Sequence, residues 1–302
     1  MPVKLDKDTL SVHILNVGDG DSIVIELPEM NGERGHVVVD SYLGWKTVNY
    51  LKALDAKVLK LVVATHPHRD HILGLKKVME DFDGPVEQFW DSGFRHTSSD
   101  WYTLIEYILG KQQQTSFIRP TSGLSTVMNG VEITVLAPSI NLRNRYDTYG
   151  ININNSSIVL KLTYKKRTII LAADAQFESW AKITEEFPHM EKTKDPFQNI
   201  QVDKGYYPLD CYFLKVSHHG SKHGTALEAI EKLKPNWAAI SCGDPSTHDF
   251  PHELSTKILE EVNTHILETS KGSIVFTIDG NGKRDNYQYK EAKDTDVPAP
   301  DR

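Results

Sequence analysis

A chain of 302 residues, 39% hydrophobic and 25% charged, has the composition of a folded globular protein and is long enough for one large domain or two modest ones. Its net charge of −7 excludes a global attraction for nucleic acid, so a polyanion would have to meet a local basic patch or a bound metal. No apolar run reaches the ~18 residues of a membrane span, the opening MPVKLDKDTL lacks a signal-peptide core, and Cys211 and Cys242 form no CxxC, so we expect a cytoplasmic chain with no membrane partner and both thiols reduced in the core.

In chain order, SVHILNV, SIVIEL and HVVVD are short, β-branched and separated by Gly, Asp and Asn, which predicts antiparallel strands in a meander. KTVNYLKALDA carries apolar residues at spacings of three and four, the period of a helix. LKLVVAT is a continuous apolar run, as in a strand buried on both faces. LGLKKVMEDF and DWYTLIEYILGKQQQ read as helices, and VEITVLAP, SIVLKLTY and RTIILAAD as strands. Helices over AQFESWAKITEEF, TALEAIEKLK and PHELSTKILEEV then alternate with strands over CYFLKVS and WAAISCG, and HILETSKGSIVFTI closes the chain as two strands. One contiguous core serves residues 1–285, an α/β domain. Residues 188–208 are polar, Pro-bounded and aperiodic, which marks an inserted loop. Residues 286–302 read as a flexible tail. Either segment offers a place to dock a protein partner.

The densest chemistry lies in ATHPHRDHILGL, where His66, His68, Asp70 and His71 fall within one loop between a buried strand and a helix. Ligands gather at such strand ends in α/β folds. Alternate side chains of an extended segment share a face, so His66 and His68 can converge on one ion. His71 is out of phase, and a turn at Asp70–His71 carries that pair toward a second point. Imidazole with carboxylate suits zinc, or manganese where more oxygen is present. The competing reading, a metal-free histidine knot, brings no evident stability, and its protonation would set like charges together.

Other strand ends supply more donors. Asp174 in LAADA ends a buried strand, where a lone carboxylate is costly unless paired or metal-bound. His218 and His219 follow another strand in KVSHHGSKHG, and His248 and His252 lie in THDFPHE. Asp40, ending VVVD, is placed to orient a ligating histidine. NVGDGDS is a Gly-rich turn between strands and not a phosphate loop, since no helix follows it. No nucleophile-elbow serine is present.

THPHRDH matches the HxHxDH signature of the metallo-β-lactamase fold superfamily. With NVGDGDS, VVVDS, NNSSIVLKL, LAADA, LKVSHHGSKHGT and SKGSIVFTIDG, the chain from about residue 10 to 280 resembles the hydrolase domain of ComEC-type competence proteins. The resemblance implies a four-layer αββα sandwich and two divalent ions, Zn or Mn. His66 and His68 would hold the first, Asp70 and His71 the second, and Asp174 would bridge them. The histidine of HHGS, taken as His218 with His219 as alternative, would complete the second. Asn154 or Asn155 would approach the first. A metal-bridging hydroxide would attack phosphorus, with Asp70, Asp174 and His219 in the catalytic set and a nearby histidine protonating the leaving oxygen. The expected activity is that of a phosphodiesterase, foremost a nuclease with nucleic acid as substrate. The alternatives are a hydrolase of a small substrate (a nucleotide signal, a phosphocholine-type ester or a lactone) and a non-enzymatic interaction module in a larger assembly. The sequence departs from the pattern at Leu73 and Ala173, where glycine is usual, and at Phe250, where a histidine is usual.

Overall fold

The computed structural model describes residues 5–142, 152–187 and 211–289. Its fifteen strands lie in two sheets. The first half contributes β1 (Leu10–Ile14), β2 (Ser22–Met30), β3 (Glu33–Ser41), β4 (Leu59–Ala64), β5 (Gln88–Asp91) and β6 (Ser116–Ile118), with helices α1 (Gly44–Ala53), α2 (Arg69–Ile72), α3 (Leu75–Asp81) and α4 (Ser99–Leu109) between them. The chain then enters a second sheet through β7 (Ser125–Met128), β8 (Val131–Ala137), β9 (Val159–Tyr164), β10 (Arg167–Leu171), β11 (Phe213–Lys215), β12 (Trp237–Ile240) and β13 (His265–Glu268). Helices α5 (Phe177–Glu186), α6 (Leu227–Leu233) and α7 (Glu253–Glu261) connect its later strands. β14 (Ser273–Ile278) and β15 (Arg284–Tyr289) return to the first sheet, whose order is β15-β14-β1-β2-β3-β4-β5-β6; the second runs β13-β12-β11-β10-β9-β8-β7.

Side-chain alternation builds four layers from these strands. Val37 and Val39 of β3, Ile169 and Leu171 of β10 and Phe213 of β11 point between the sheets. Their neighbours point outward: Val38 packs under α1–α4, while Ile170 and Leu214 pack under α5–α7. Phe213 stacks on Phe276 of β14 and so joins the two sheets. This is the expected αββα sandwich, and the continuous apolar runs are its doubly covered strands.

Four short strands fall outside the expected set. β5 and β6 lack a long β-branched run. β7 pairs with β8 through Asn129-Gly130, both at positive φ (47° and 79°), an Asn-Gly hairpin signal that was present in the sequence. β15 occupies the start of the expected tail, because Arg284–Tyr289 pair residue by residue with β14. Residues 188–208 and 290–302, where a partner was expected to dock, lie outside the described residues.

β3 to β6 run parallel, as do β10 to β13. β3 therefore ends on Asp40–Ser41, and the C-terminal ends of β4, β10 and β11 are followed directly by Thr65–His71, Ala172–Ala175 and Val216–Gly220. The expected ligands Asp70, His66, His68, His71, Asp174, His218 and His219 all lie on segments that leave these ends, whereas Asn154 and Asn155 precede β9 and His248 and His252 follow β12.

Candidate metal centre

The HxHxDH loop is extended first and helical second. His68 has extended backbone (φ −73°, ψ 147°) and precedes α2, whose first turn carries Asp70 and His71. The expected change of direction is thus the start of a helix. Leu73, in helical conformation, needs no glycine. The glycine the loop requires is Gly74, where a Cβ would stand 2.3 Å from the backbone nitrogen of Gly44.

Asp40 holds the loop from below. Its carboxylate accepts from the Thr65 N–H (2.8 Å) and the Thr65 hydroxyl (2.6 Å), and from Nδ1 of His71 (2.7 Å). That bond fixes the His71 tautomer and turns its Nε2 lone pair inward. His219 is fixed likewise, with Nδ1 donating to the Ser241 carbonyl at 3.0 Å.

Asp174 follows β10 through Ala173, which is left-handed at φ +45°. Its Oδ1 lies 3.2 Å from His71 Nε2 and 3.5 Å from His219 Nε2, and Asp70 Oδ2 is 3.6 and 3.5 Å from those two nitrogens. Its Oδ2 lies 3.6 Å from His66 Nε2 and 3.7 Å from His218 Nε2. Two donor groups result, Asp70–His71–Asp174–His219 and His66–His68–Asp174, each with ligand atoms within 4.8 Å of one another.

The structure divides the histidine pair differently from the sequence expectation. His219 stands with Asp70 and His71, whereas His218 faces the His66 side of Asp174. The cause is local: both residues are left-handed (φ +49° and +54°), a conformation that sterics disfavour away from glycine and that sends the two rings to opposite sides of the carboxylate. The Ala173 carbonyl, accepting from the His218 N–H at 2.8 Å, ties the two loops together.

Asn154 is buried, with Nδ2 3.4 Å from His218 Nε2. Asn155 turns away, its Oδ1 accepting from the N–H groups of Gln176 (3.1 Å) and Ser179 (3.2 Å) at the start of α5. His252 is exposed and caps α7, its Nδ1 accepting from the Leu254 N–H, and His248 is an exposed residue against Phe250. Neither belongs to a donor group. Phe250 stands 5.7 Å from the His219 ring and 5.9 Å from that of His218, an aromatic wall where a histidine was expected.

The electrostatics ask for added cations. Burial drives His66 well below the usual imidazole range and lowers His68 and His218, so these rings are neutral donors. Burial opposes ionisation of Asp174, yet His71 and His219 hold it well below the carboxylate range. His71 goes the other way: burial lowers it, but Asp174, Asp40 and Asp70 raise it well above 6.5. Among the described residues, Nε2 of His66, His71 and His219 and Oδ1 of Asp174 are buried without a hydrogen-bond partner. Buried lone pairs of this kind are costly unless filled. Nitrogen and carboxylate donors turned inward in two groups fit divalent ions.

Three residues outside the expected set also stand at the site: Asp21 and Lys215 behind His71 and His219, and His96, whose ring meets that of His68 edge-on at 5.8 Å. Lys215 had a signal, since it continues the inward phase of Phe213 in β11.

A profile of the metallo-beta-lactamase superfamily matches residues 15–243. The chain belongs to that superfamily. Membership accounts for the αββα layers and the HxHxDH loop together. Among curated proteins, the chain is similar to ComE operon protein 3 of Bacillus subtilis (strain 168), 25% identical over 298 residues covering 92% of this chain. The chain spans 33% of that protein's length. Among solved structures, it resembles Tm1679, described as a metal-dependent hydrolase of the beta-lactamase superfamily (TM-score 0.52, 11% identity, covering 93% of this chain and all, 100%, of that one). It also resembles the metallo-beta-lactamase fold protein YhfI from Bacillus subtilis (TM-score 0.50, 13% identity, 87% and 96% covered). At these identities the two structures speak for the fold alone.

Proposed function

We propose that this metallo-beta-lactamase superfamily chain is a metal-dependent phosphodiesterase acting on nucleic acid with two divalent ions, zinc or manganese. One observation carries the reading: the Asp174 carboxylate presents Oδ1 to one donor group and Oδ2 to another. A carboxylate so placed suits a bridge between two cations. His66, His68 and His218 would hold one, with Asp70, His71 and His219 holding the other. When bound, such a pair supplies an ionised water at neutral pH and balances charge developing on phosphorus.

The remaining roles fall to this chain's own side chains. Asp40 and the Ser241 carbonyl hold two rings in their ligating tautomers. His219 Nε2 is buried and turned to Asp70 and Asp174, so the leaving oxygen needs another donor. His96 is half-buried, and its Nδ1 accepts from the Ser98 N–H at 3.2 Å, which places the proton of the neutral ring on Nε2. Arg95 and Lys222, exposed on the loops that carry His96 and follow His219, support a polyanionic substrate. Both cysteines are buried and neither is in a disulfide, which supports a reducing, cytoplasmic setting. No helix among the described residues is long and apolar enough to cross a membrane.

A second reading, hydrolysis of a small substrate such as a nucleotide signal, a phosphocholine-type ester or a lactone, draws on the net charge of −7. The test is a screen with Mn²⁺ and Zn²⁺ against DNA, RNA, cyclic nucleotides and bis(p-nitrophenyl) phosphate, with Asp174→Ala as control. Cleavage of DNA or RNA that vanishes in the variant supports the nuclease. Turnover of the small ester with none on any polymer supports the second reading and removes the first.

A further inference from the structure

Behind the donor group Asp70–His71–Asp174–His219 lies a charge pair that no ligand role explains. Lys215 of β11 and Asp21, in the turn between β1 and β2, are both fully buried, with Nζ 2.6 Å from Oδ2. The contact is an ion pair rather than an aligned hydrogen bond, and it joins one sheet to the other. A buried ammonium is expensive to keep unless its charge is used.

Three further neighbours of Asp21 belong to that donor group. Its Oδ2 lies 4.0 Å from Nδ1 of His71, and its Oδ1 lies 3.9 Å from Nδ1 of His219. Its N–H donates to the Asp70 carbonyl at 3.1 Å. Asp21 therefore touches, by side chain or backbone, each of the three residues grouped with Asp174 Oδ1. It is also a rival acceptor. The Nδ1–H groups that donate to Asp40 and to the Ser241 carbonyl stand only 4.0 and 3.9 Å from its carboxylate oxygens. With Asp40 and His71 it even has the make-up of a third cation site, and the cation that Asp21 meets is the Lys215 ammonium.

We infer that Lys215 is a built-in counter-cation that neutralises Asp21 and so keeps His71 and His219 turned toward the second ion. Asp21 and Lys215 are positioning residues, acting through the two histidines. The proposal rests on the two-ion reading above, and its test separates the two.

The probe is Co²⁺ alone, followed by its visible absorption and by competition with a chelator. Wild type is expected to take up two ions. Lys215→Met removes the charge at nearly constant volume and exposes Asp21 as a bare carboxylate. The ion at Asp70–His71–His219 should weaken about 10- to 100-fold, with the His66–His68 ion unchanged. The double variant Asp21→Asn/Lys215→Met removes both charges and should recover to within about threefold of wild type. A packing staple predicts the opposite, a double variant no better than the single. Asp21→Asn alone is a second route should Lys215→Met fail to fold, since it leaves an unpaired ammonium behind the same rings and should weaken the same ion. Wild-type cobalt affinity in the single variants, or no recovery in the double, overturns the proposal alone. A wild-type protein that takes up no cobalt overturns the two-ion reading and this inference with it.

Discussion

Asp40 and His71 share a buried hydrogen bond of 2.7 Å between Oδ2 and Nδ1, and the same carboxylate holds Thr65 at the end of β4. One side chain thus sets both the tautomer of a ligand and the path of the loop that carries it. Asp40→Asn keeps the shape but offers an N–H where His71 needs an acceptor. Metal affinity should fall about 10- to 100-fold, read by chelator competition. Unchanged affinity would show that the Asp40 bond does not set the ring.

The two faces of Asp174 predict an ordered loss of metal. Asp174→Ala should remove both ions and Asp70→Ala one. His219→Ala should weaken the ion held by Asp70 and His71, and His218→Ala the other. His248→Ala and His252→Ala, both exposed and outside the donor groups, should leave metal content at the wild-type level. Elemental analysis of each purified variant reads the result, and a His218→Ala protein with full metal content would remove His218 from the ligand set.

Ala173, at φ +45°, stores strain directly before the shared carboxylate. A left-handed non-glycine costs about 1–2 kcal/mol, and glycine gives back part of that through its freer unfolded chain. Ala173→Gly should therefore stabilise the fold by about 0.5 kcal/mol in urea unfolding. Destabilisation would mean that the Cβ is a packing contact worth more than the strain.

Away from the candidate metal centre, His36 is buried on the outer face of the first sheet, and burial is the main reason its imidazole falls to about 4. Neither ring nitrogen has a hydrogen-bond partner among the described residues. The unfolded chain takes up this proton near 6.5 and the folded one only near 4, so the unfolded state binds more protons between those values. The contribution is complete above pH 6.5 and is lost as pH falls toward 4, by about 3 kcal/mol in all. Urea unfolding at pH 7, 5.5 and 4.5 should show that slope, and His36→Gln should flatten it. An unaltered slope would assign the acid sensitivity to other groups.

Much of this was legible without coordinates. Short β-branched segments bounded by turn residues announced the strands, continuous apolar runs announced that they are doubly covered, and the spacing of His66, His68, Asp70 and His71 announced two donor pairs at a strand end. Asp174 was conspicuous because a carboxylate closing an apolar strand needs a partner. Those signals are local, set by backbone period and by the cost of burying charge. The short strands β5 and β6 were not legible, since their pairing partners, not their own residues, make them strands. Nor was the division of His218 from His219: adjacent residues of one type differ only in the backbone angles imposed by the turn after β11. The Asp21–Lys215 pair is the plainest case. One residue lies in a turn of the first sheet, between β1 and β2, and the other in a strand of the second, 194 positions later, and only the packing of sheet on sheet brings a carboxylate and an ammonium together behind the same two rings.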